Sequence, residues 1–210
     1  MTPQSKWLSM AFVCIAGIAG VAASLTFRHP SAPSVELATG TYVAPNRALP
    51  EFSLIDHHGR PFGSKNLLGH WTIMFFGYTN CPDFCPTTLA TLAALEKRLR
   101  ADGAAVRPQV VFMSVDAKRD TPAQLAKYVP YFDPEFIGIT AADQPAIEAA
   151  AAKLGVGVIL TPKPDGTYTV DHSAEIFVVN PAGKLAAILT GPLTVAALES
   201  DFDRIVAAPV

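Results

Sequence analysis

Charge is scarce in this chain: Asp, Glu, Lys and Arg make up only 16% of its 210 residues, and the formal net charge is −2. Without a basic excess nothing steers the molecule toward phosphate, which excludes a nucleic-acid binder on electrostatic grounds. Charge vanishes altogether from Trp7 to Phe27. As a helix these 21 residues reach about 31 Å, enough to cross a bilayer core of about 30 Å. The run is too long for the apolar region of a cleaved signal peptide, although Ala22-Ala23-Ser24 offers the small residues of a cleavage site, so the expectation is an uncleaved transmembrane anchor. Cysteine is scarcer still, with three residues. Cys14 lies inside the apolar run as a free thiol, and Val13 stands where a lipoprotein attachment site would need a small side chain.

Residues 1–6 then form a short tail, with Lys6 and the α-amino group on one side of the anchor and Arg28 on the other. The simpler arrangement keeps the tail in the cytoplasm and exports the remainder. Residues 28–47 are rich in Pro, Ser, Ala and Thr and show neither helical nor strand periodicity, so they read as a flexible linker. Extended, it reaches up to about 66 Å. Residues 48–210 are left for one globular domain.

Within that domain the apolar pattern alternates between short strands and helices. Phe52 to Ile55 reads as a strand and Asp56 to Arg60 as a turn whose His57 and His58 are expected to be solvated. Trp71 to Phe76 is a near-continuous apolar run, the mark of a central strand covered on both faces, with Met74 in the core. Leu89, Leu92, Leu95 and Leu99 recur at helical spacing, and Gly103 suits the position past a helix end. Val110 to Val115 is a second central strand. Thr121-Pro122-Ala123-Gln124 starts a helix with cap, proline and glutamine in favoured places. A strand at Phe136 to Ile139 and a helix at Pro145 to Leu154 follow, and Pro162 to Gly166 makes a loop leading back through Tyr168 to Val170. Strands at Ala174 to Val179 and Leu185 to Leu189 flank the turn Asn180 to Lys184, and Thr194 caps a last helix. This order is that of a thioredoxin-like α/β domain.

The chemistry concentrates in Phe76-Gly77-Tyr78-Thr79-Asn80-Cys81-Pro82-Asp83-Phe84-Cys85-Pro86, where the first central strand hands over to the long helix. On a helical path Cys81 and Cys85 would sit about 6 Å apart on one face, within disulfide reach. The pair can be a dithiol, a disulfide or two soft metal ligands. Cys81 is expected at the helix start, where free N–H groups and the helix dipole favour a thiolate.

Phe76 to Pro86 resembles the FGYTxCPDxCP signature of the Sco/SenC family, membrane-anchored copper-binding proteins with a thioredoxin-like fold. Two further segments support the resemblance. Val170-Asp171-His172-Ser173 matches the family's VDHS, and Ser114 to Pro122 resembles SVDPxxDTP, departing at Ala117 where the family has proline. The resemblance implies copper ligation by Cys81, Cys85 and His172, as Cu(I), Cu(II) or both, with a Cys81–Cys85 disulfide in the oxidised form. Two thiolates and an imidazole form a soft site that suits Cu(I), although zinc also accepts Cys₂His with a water. Asp116 and Asp171 are candidates for supporting the ligands from behind, Asp171 by orienting His172, and Asp120 is expected as a helix cap.

The implied role is a copper metallochaperone for the CuA centre of cytochrome c oxidase, anchored in the inner membrane by one helix with its domain in the periplasm. Partners would be the copper-bearing oxidase subunit, and also other copper chaperones or thioredoxin-like reductants. The alternative is an enzyme, a thiol-disulfide oxidoreductase with Cys81 attacking and Cys85 resolving. Such oxidoreductases use CxxC and a cis-proline where this chain has CxxxC and His172. A peroxidase lacks any marked peroxide pocket.

Overall fold

The computed structural model describes residues 35–208. The expected tail, the 7–27 anchor with Cys14, and the first part of the 28–47 linker lie outside the described residues. No helix among the described residues is long and apolar enough to cross a membrane.

The element order is β1 (Gly40–Ala48), β2 (Ser53–Asp56), β3 (Pro61–Gly63), β4 (Thr72–Gly77), α1 (Phe84–Ala101), β5 (Gln109–Ser114), α2 (Pro122–Phe132), β6 (Ile137–Thr140), α3 (Gln144–Leu154), β7 (Val158–Pro162), β8 (Tyr168–His172), β9 (Ile176–Val179), β10 (Lys184–Leu189) and α4 (Val195–Ala207). Eight strands make one mixed sheet in the order β1-β10-β9-β4-β5-β6-β2-β3, and β7 and β8 pair by themselves. At its centre β4 runs parallel to β5 and antiparallel to β9, which continues antiparallel into β10. A βαβ unit joined to an antiparallel pair and a closing helix is the expected thioredoxin-like core.

The central strand shows why this sequence needs cover on both sides. Strand alternation sends Ile73 and Phe75 to one face and Met74 and Phe76 to the other. All four are buried. The first pair packs among Leu89, Leu92 and Leu95 of α1, Leu125 and Val129 of α2, and Leu198 and Phe202 of α4. The second pair meets Ile147, Ala151 and Leu154 of α3 and Val170 of β8. Helices on one face and a helix with a hairpin on the other thus fix where β4 ends, and with it the cysteine turn.

Two expectations need correction. Residues 40–47, read as linker, form the strand β1, which pairs antiparallel with β10 from Gly40↔Leu189 to Ala48↔Lys184. Pairing covers an edge of β10 that would otherwise stay open. The prolines and broken periodicity that suggested a tether fit an irregular edge strand, whose register shifts between Tyr42 and Arg47. A carboxylate clamp holds the approach to it: buried Asp201 on α4 accepts the Ala38 N–H at 2.8 Å, the Thr39 N–H at 2.7 Å and the Thr39 hydroxyl at 2.6 Å. His57, in turn, is buried rather than solvated. Its Nδ1 accepts the Gly138 N–H at 2.9 Å, tying the β2 turn to β6, and burial pushes its pKa below the ordinary value.

Asp201→Ala removes a buried acceptor from three donors and should lower stability by about 3 kcal/mol. The loss is read as a lower urea midpoint together with faster amide exchange at Thr39 to Tyr42 than in β4. An unchanged midpoint would refute the clamp.

Candidate metal and redox site

The cysteine turn fills residues 78–83, between the end of β4 and the first residue of α1. Cys81 sits before the helix rather than at its start, because Asp83, the residue preceding the first turn, holds a non-helical φ of −143° and ψ of −60°. Pro86 falls in the first helical turn, where its missing N–H has no intrahelical partner to lose. The Asp83 side chain makes no capping bond to the helix backbone. Cys81 takes that place: its Sγ accepts the Cys85 N–H at 3.4 Å. Such a bond strengthens when the sulfur is charged.

The two thiols, both free in the structure, occupy unlike surroundings. The expected disulfide between them is therefore not formed in this state. Cys81 is partly exposed, whereas Cys85 is fully buried in the apolar layer under α1. Burial pushes the Cys85 thiol well above the ordinary cysteine range. Its sulfur lies against the last residue of β4 so closely that a methyl group on Gly77 would stand 2.8 Å from Cys85 Sγ and 2.8 Å from Phe112 Cε2. Only glycine leaves room there.

The turn is held from behind by Asp120, buried and accepting the Thr79 N–H at 2.9 Å, the Thr79 hydroxyl at 2.6 Å and the Ser114 hydroxyl at 2.7 Å. Burial raises its carboxyl pKa despite these bonds. This corrects the expectation of a cap. Thr121 caps α2, its hydroxyl accepting the Gln124 N–H at 3.2 Å, and Asp120 instead joins the β5–α2 loop to the cysteine turn.

His172 ends β8, opposite Val158 of β7. Its Nδ1 lies 2.9 Å from the Ser173 carbonyl, which can only accept, so the proton of that bond sits on Nδ1, and in the neutral ring Nε2 is the nitrogen with the lone pair. The ring meets Tyr78 edge-on, at 5.9 Å between centroids and 85° between planes. Tyr78 in turn accepts the Cys81 N–H on its carbonyl at 3.2 Å. The imidazole therefore packs on the cysteine turn itself. Among the described residues, however, no group of three or more His, Cys, Asp and Glu side chains stands close enough to hold a metal ion. The structure brings Cys81 and Cys85 together and leaves His172 beside Tyr78.

Asp116 supports this neighbourhood without touching the cysteines or His172. Fully buried, it accepts the Tyr168 hydroxyl at 2.7 Å and forms an ion pair with Arg119. The Arg119 guanidinium carbon lies 4.1 Å from the Tyr168 ring centroid and 5.6 Å from that of Tyr78. Burial, then the neighbouring Asp116 carboxylate, push the Tyr168 phenol up to about 12. Asp116, Arg119 and Tyr168 thus tie the β8 strand bearing His172 to the β5–α2 loop. Asp171 is exposed, and no hydrogen bond joins it to His172 among the described residues. Adjacent strand positions face opposite ways. Sequence reasoning passed over Tyr78, Arg119 and Tyr168, though the first two lie inside the quoted motifs.

The SCO1/SenC family model matches residues 41–207. The chain belongs to the SCO1/SenC family. A Stutzerimonas stutzeri protein provisionally named as copper-binding is 36% identical over 73% of this chain and 74% of its own. Arabidopsis thaliana protein SCO1 homolog 1, mitochondrial, is 42% identical over 62% of this chain, but the match spans only 38% of that relative's length. The crystal structure of Arabidopsis ScoI with copper bound superimposes with a TM-score of 0.70 at 34% identity, covering 75% of this chain and 96% of that one. The thioredoxin-like α/β fold is thus the SCO1/SenC fold.

In this SCO1/SenC chain the two thiols should react unequally. Iodoacetamide should label Cys81 in the native protein and Cys85 only after denaturation, as peptide mass mapping would show. Equal labelling of both in the native state would contradict the buried placement of Cys85.

Proposed function

We propose that this chain is a membrane-anchored copper metallochaperone serving assembly of the CuA centre of cytochrome c oxidase. The observation that carries the reading is the asymmetric sulfur pair, one accessible and one sheltered, with an imidazole whose Nε2 is free on a neighbouring hairpin. Two thiolates and one imidazole select soft copper. Copper with three ligands drawn from two separately folded segments can be passed on through shared coordination. Cys81, Cys85 and His172 are the ligands in this reading, and the His172 ring leaves its place against Tyr78 to complete the set. Further support comes from the copper-bound Arabidopsis relative.

The cargo arrives as Cu(I) or Cu(II), and each sulfur that takes it gives its proton to solvent. Residues 7–27 hold the protein in the inner membrane with the domain on the periplasmic side. The copper-bearing oxidase subunit receives the metal. Other copper chaperones or thioredoxin-like reductants supply it or restore the dithiol.

A second reading is favoured by the same asymmetry. An exposed Cys81 that attacks and a buried Cys85 that resolves are the arrangement of a thiol-disulfide oxidoreductase keeping target cysteines reduced.

The two separate by substitution in the full chain. Cys81→Ser or Cys85→Ser should abolish binding of about one copper per chain. His172→Ala should weaken copper binding about tenfold or more while leaving dithiol oxidation intact. Metal analysis, with absorbance in the thiolate-to-copper charge-transfer region, reads the outcome. Copper binding that survives His172→Ala unchanged would leave the oxidoreductase.

A further inference from the structure

We propose that Arg119 is a positioning residue for the third ligand: its guanidinium, set between the Tyr168 and Tyr78 rings, holds the hairpin that ends in His172 against the cysteine turn. This rests on the reading of Cys81, Cys85 and His172 as copper ligands.

The hairpin needs such an anchor. Strands β7 and β8 pair with each other and join no strand of the main sheet, and a two-stranded hairpin is marginal on its own. Apolar contact secures one side of it: Val170 is buried in the core, and Val158, Leu160 and Tyr168 pack against that core. Apolar burial is non-directional, so it holds the hairpin to the domain without fixing its distance from any one group. Directional contacts come from the β5–α2 loop. The Tyr168 hydroxyl donates to Asp116 at 2.7 Å, and Arg119 Nη1 donates to the Tyr168 carbonyl at 3.5 Å.

Arg119 also reaches the other half of the site. Its guanidinium carbon lies 4.1 Å from the Tyr168 centroid on the hairpin and 5.6 Å from the Tyr78 centroid on the cysteine turn. The neighbouring Lys118 Nζ, by contrast, stands over the Tyr168 ring alone, at 5.7 Å. Asp116 fixes one edge of the guanidinium through Nε, while Nη2 is buried and has no hydrogen-bond partner among the described residues. The two rings, rather than an acceptor at Nη2, therefore set where the far edge lies. A planar cation can stack in this way and a compact ammonium cannot, so arginine and lysine are not equivalent here.

The contact passes on to the ligand. The Tyr78 ring that Arg119 faces is the one against which the His172 imidazole rests, at 5.9 Å, and the Tyr78 carbonyl accepts the Cys81 N–H at 3.2 Å. Arg119 thus keeps the metal-free imidazole one aromatic side chain away from the outer cysteine. A ligand held close before the metal arrives loses less freedom on binding it. Arg119 touches neither sulfur in this arrangement and acts on copper through His172.

The test uses the full chain, Arg119→Lys, which keeps a positive charge for Asp116 and removes the plane, and the same substitution combined with His172→Ala. Affinity for Cu(I) ion is read in competition with a chromophoric chelator. Arg119→Lys should weaken binding about fivefold, the effect of one lost cation–π contact, and should change nothing further in the His172→Ala background. In the metal-free protein, nuclear Overhauser contacts between the Tyr78 and His172 ring protons should be present in the parent and weaken in Arg119→Lys. Parent-like affinity in Arg119→Lys overturns the proposal. So does an equal loss in the His172→Ala background, which assigns Arg119 to general stability, or ring contacts that persist undiminished. A parent that binds no copper overturns the copper reading and with it the ligand role of His172; the ring contacts need no metal and show that failure apart from a failure of the positioning.

Discussion

Burying one sulfur while leaving its neighbour accessible, four residues away, is the constraint around which this fold is arranged. It requires β4 to stop at one particular residue, a glycine, so that Cys85 can press against the strand end without a Cβ in the way. It also requires α1 to begin late enough for Cys81 to remain outside the helix yet near enough to accept a helix N–H. Neither condition could be met by the turn alone. The register of β4 against β5 and β9 fixes Gly77, and the four leucines of α1 fix the helix on the sheet. The apolar layers therefore act on chemistry by setting a chain position rather than by supplying reactive groups.

Polar contacts then stabilise the turn from one loop. Asp116, Arg119 and Asp120 all follow β5, the strand parallel to β4, and between them they face two parts of the site. Asp120 holds Thr79 in the turn, while Asp116 and Arg119 reach Tyr168 on the hairpin that ends in His172. A mixed sheet brings such loops together because parallel neighbours end on the same side. The cysteine turn and the hairpin are thus linked through a third segment, with Tyr78 as their direct contact.

Much of this was legible in the chain, for reasons of range. The central strands announced themselves through continuous apolar runs, and the cysteine turn through the local conjunction of proline and cysteine at helical spacing. Thr121 and Thr194 were readable as caps because capping is decided within three residues. Asp116 and Asp120 were not separable by sequence, since what distinguishes them is whether the partner 41 positions away is Thr79 or the one 52 positions away is Tyr168. The same range hid the Arg119 stack and the burial of His57 against Gly138, 81 positions distant. Residues 40–47 looked like a tether because an edge strand can hold prolines and irregular register and still be fastened by side chains from elsewhere.

That fastening has a mechanical consequence. Any pull transmitted along the backbone from the preceding residues reaches Ala38 and Thr39 before it reaches Gly40↔Leu189, the first rung between β1 and β10. Left to itself, an edge strand pulled from its end would peel away one rung after another. Here the load meets α4 before the sheet, through the Arg204 bond to the Glu36 carbonyl and then through the several bonds of Ala38 and Thr39 to the single carboxylate of Asp201. The sheet is shielded from tugging at the point where the rest of the chain joins it.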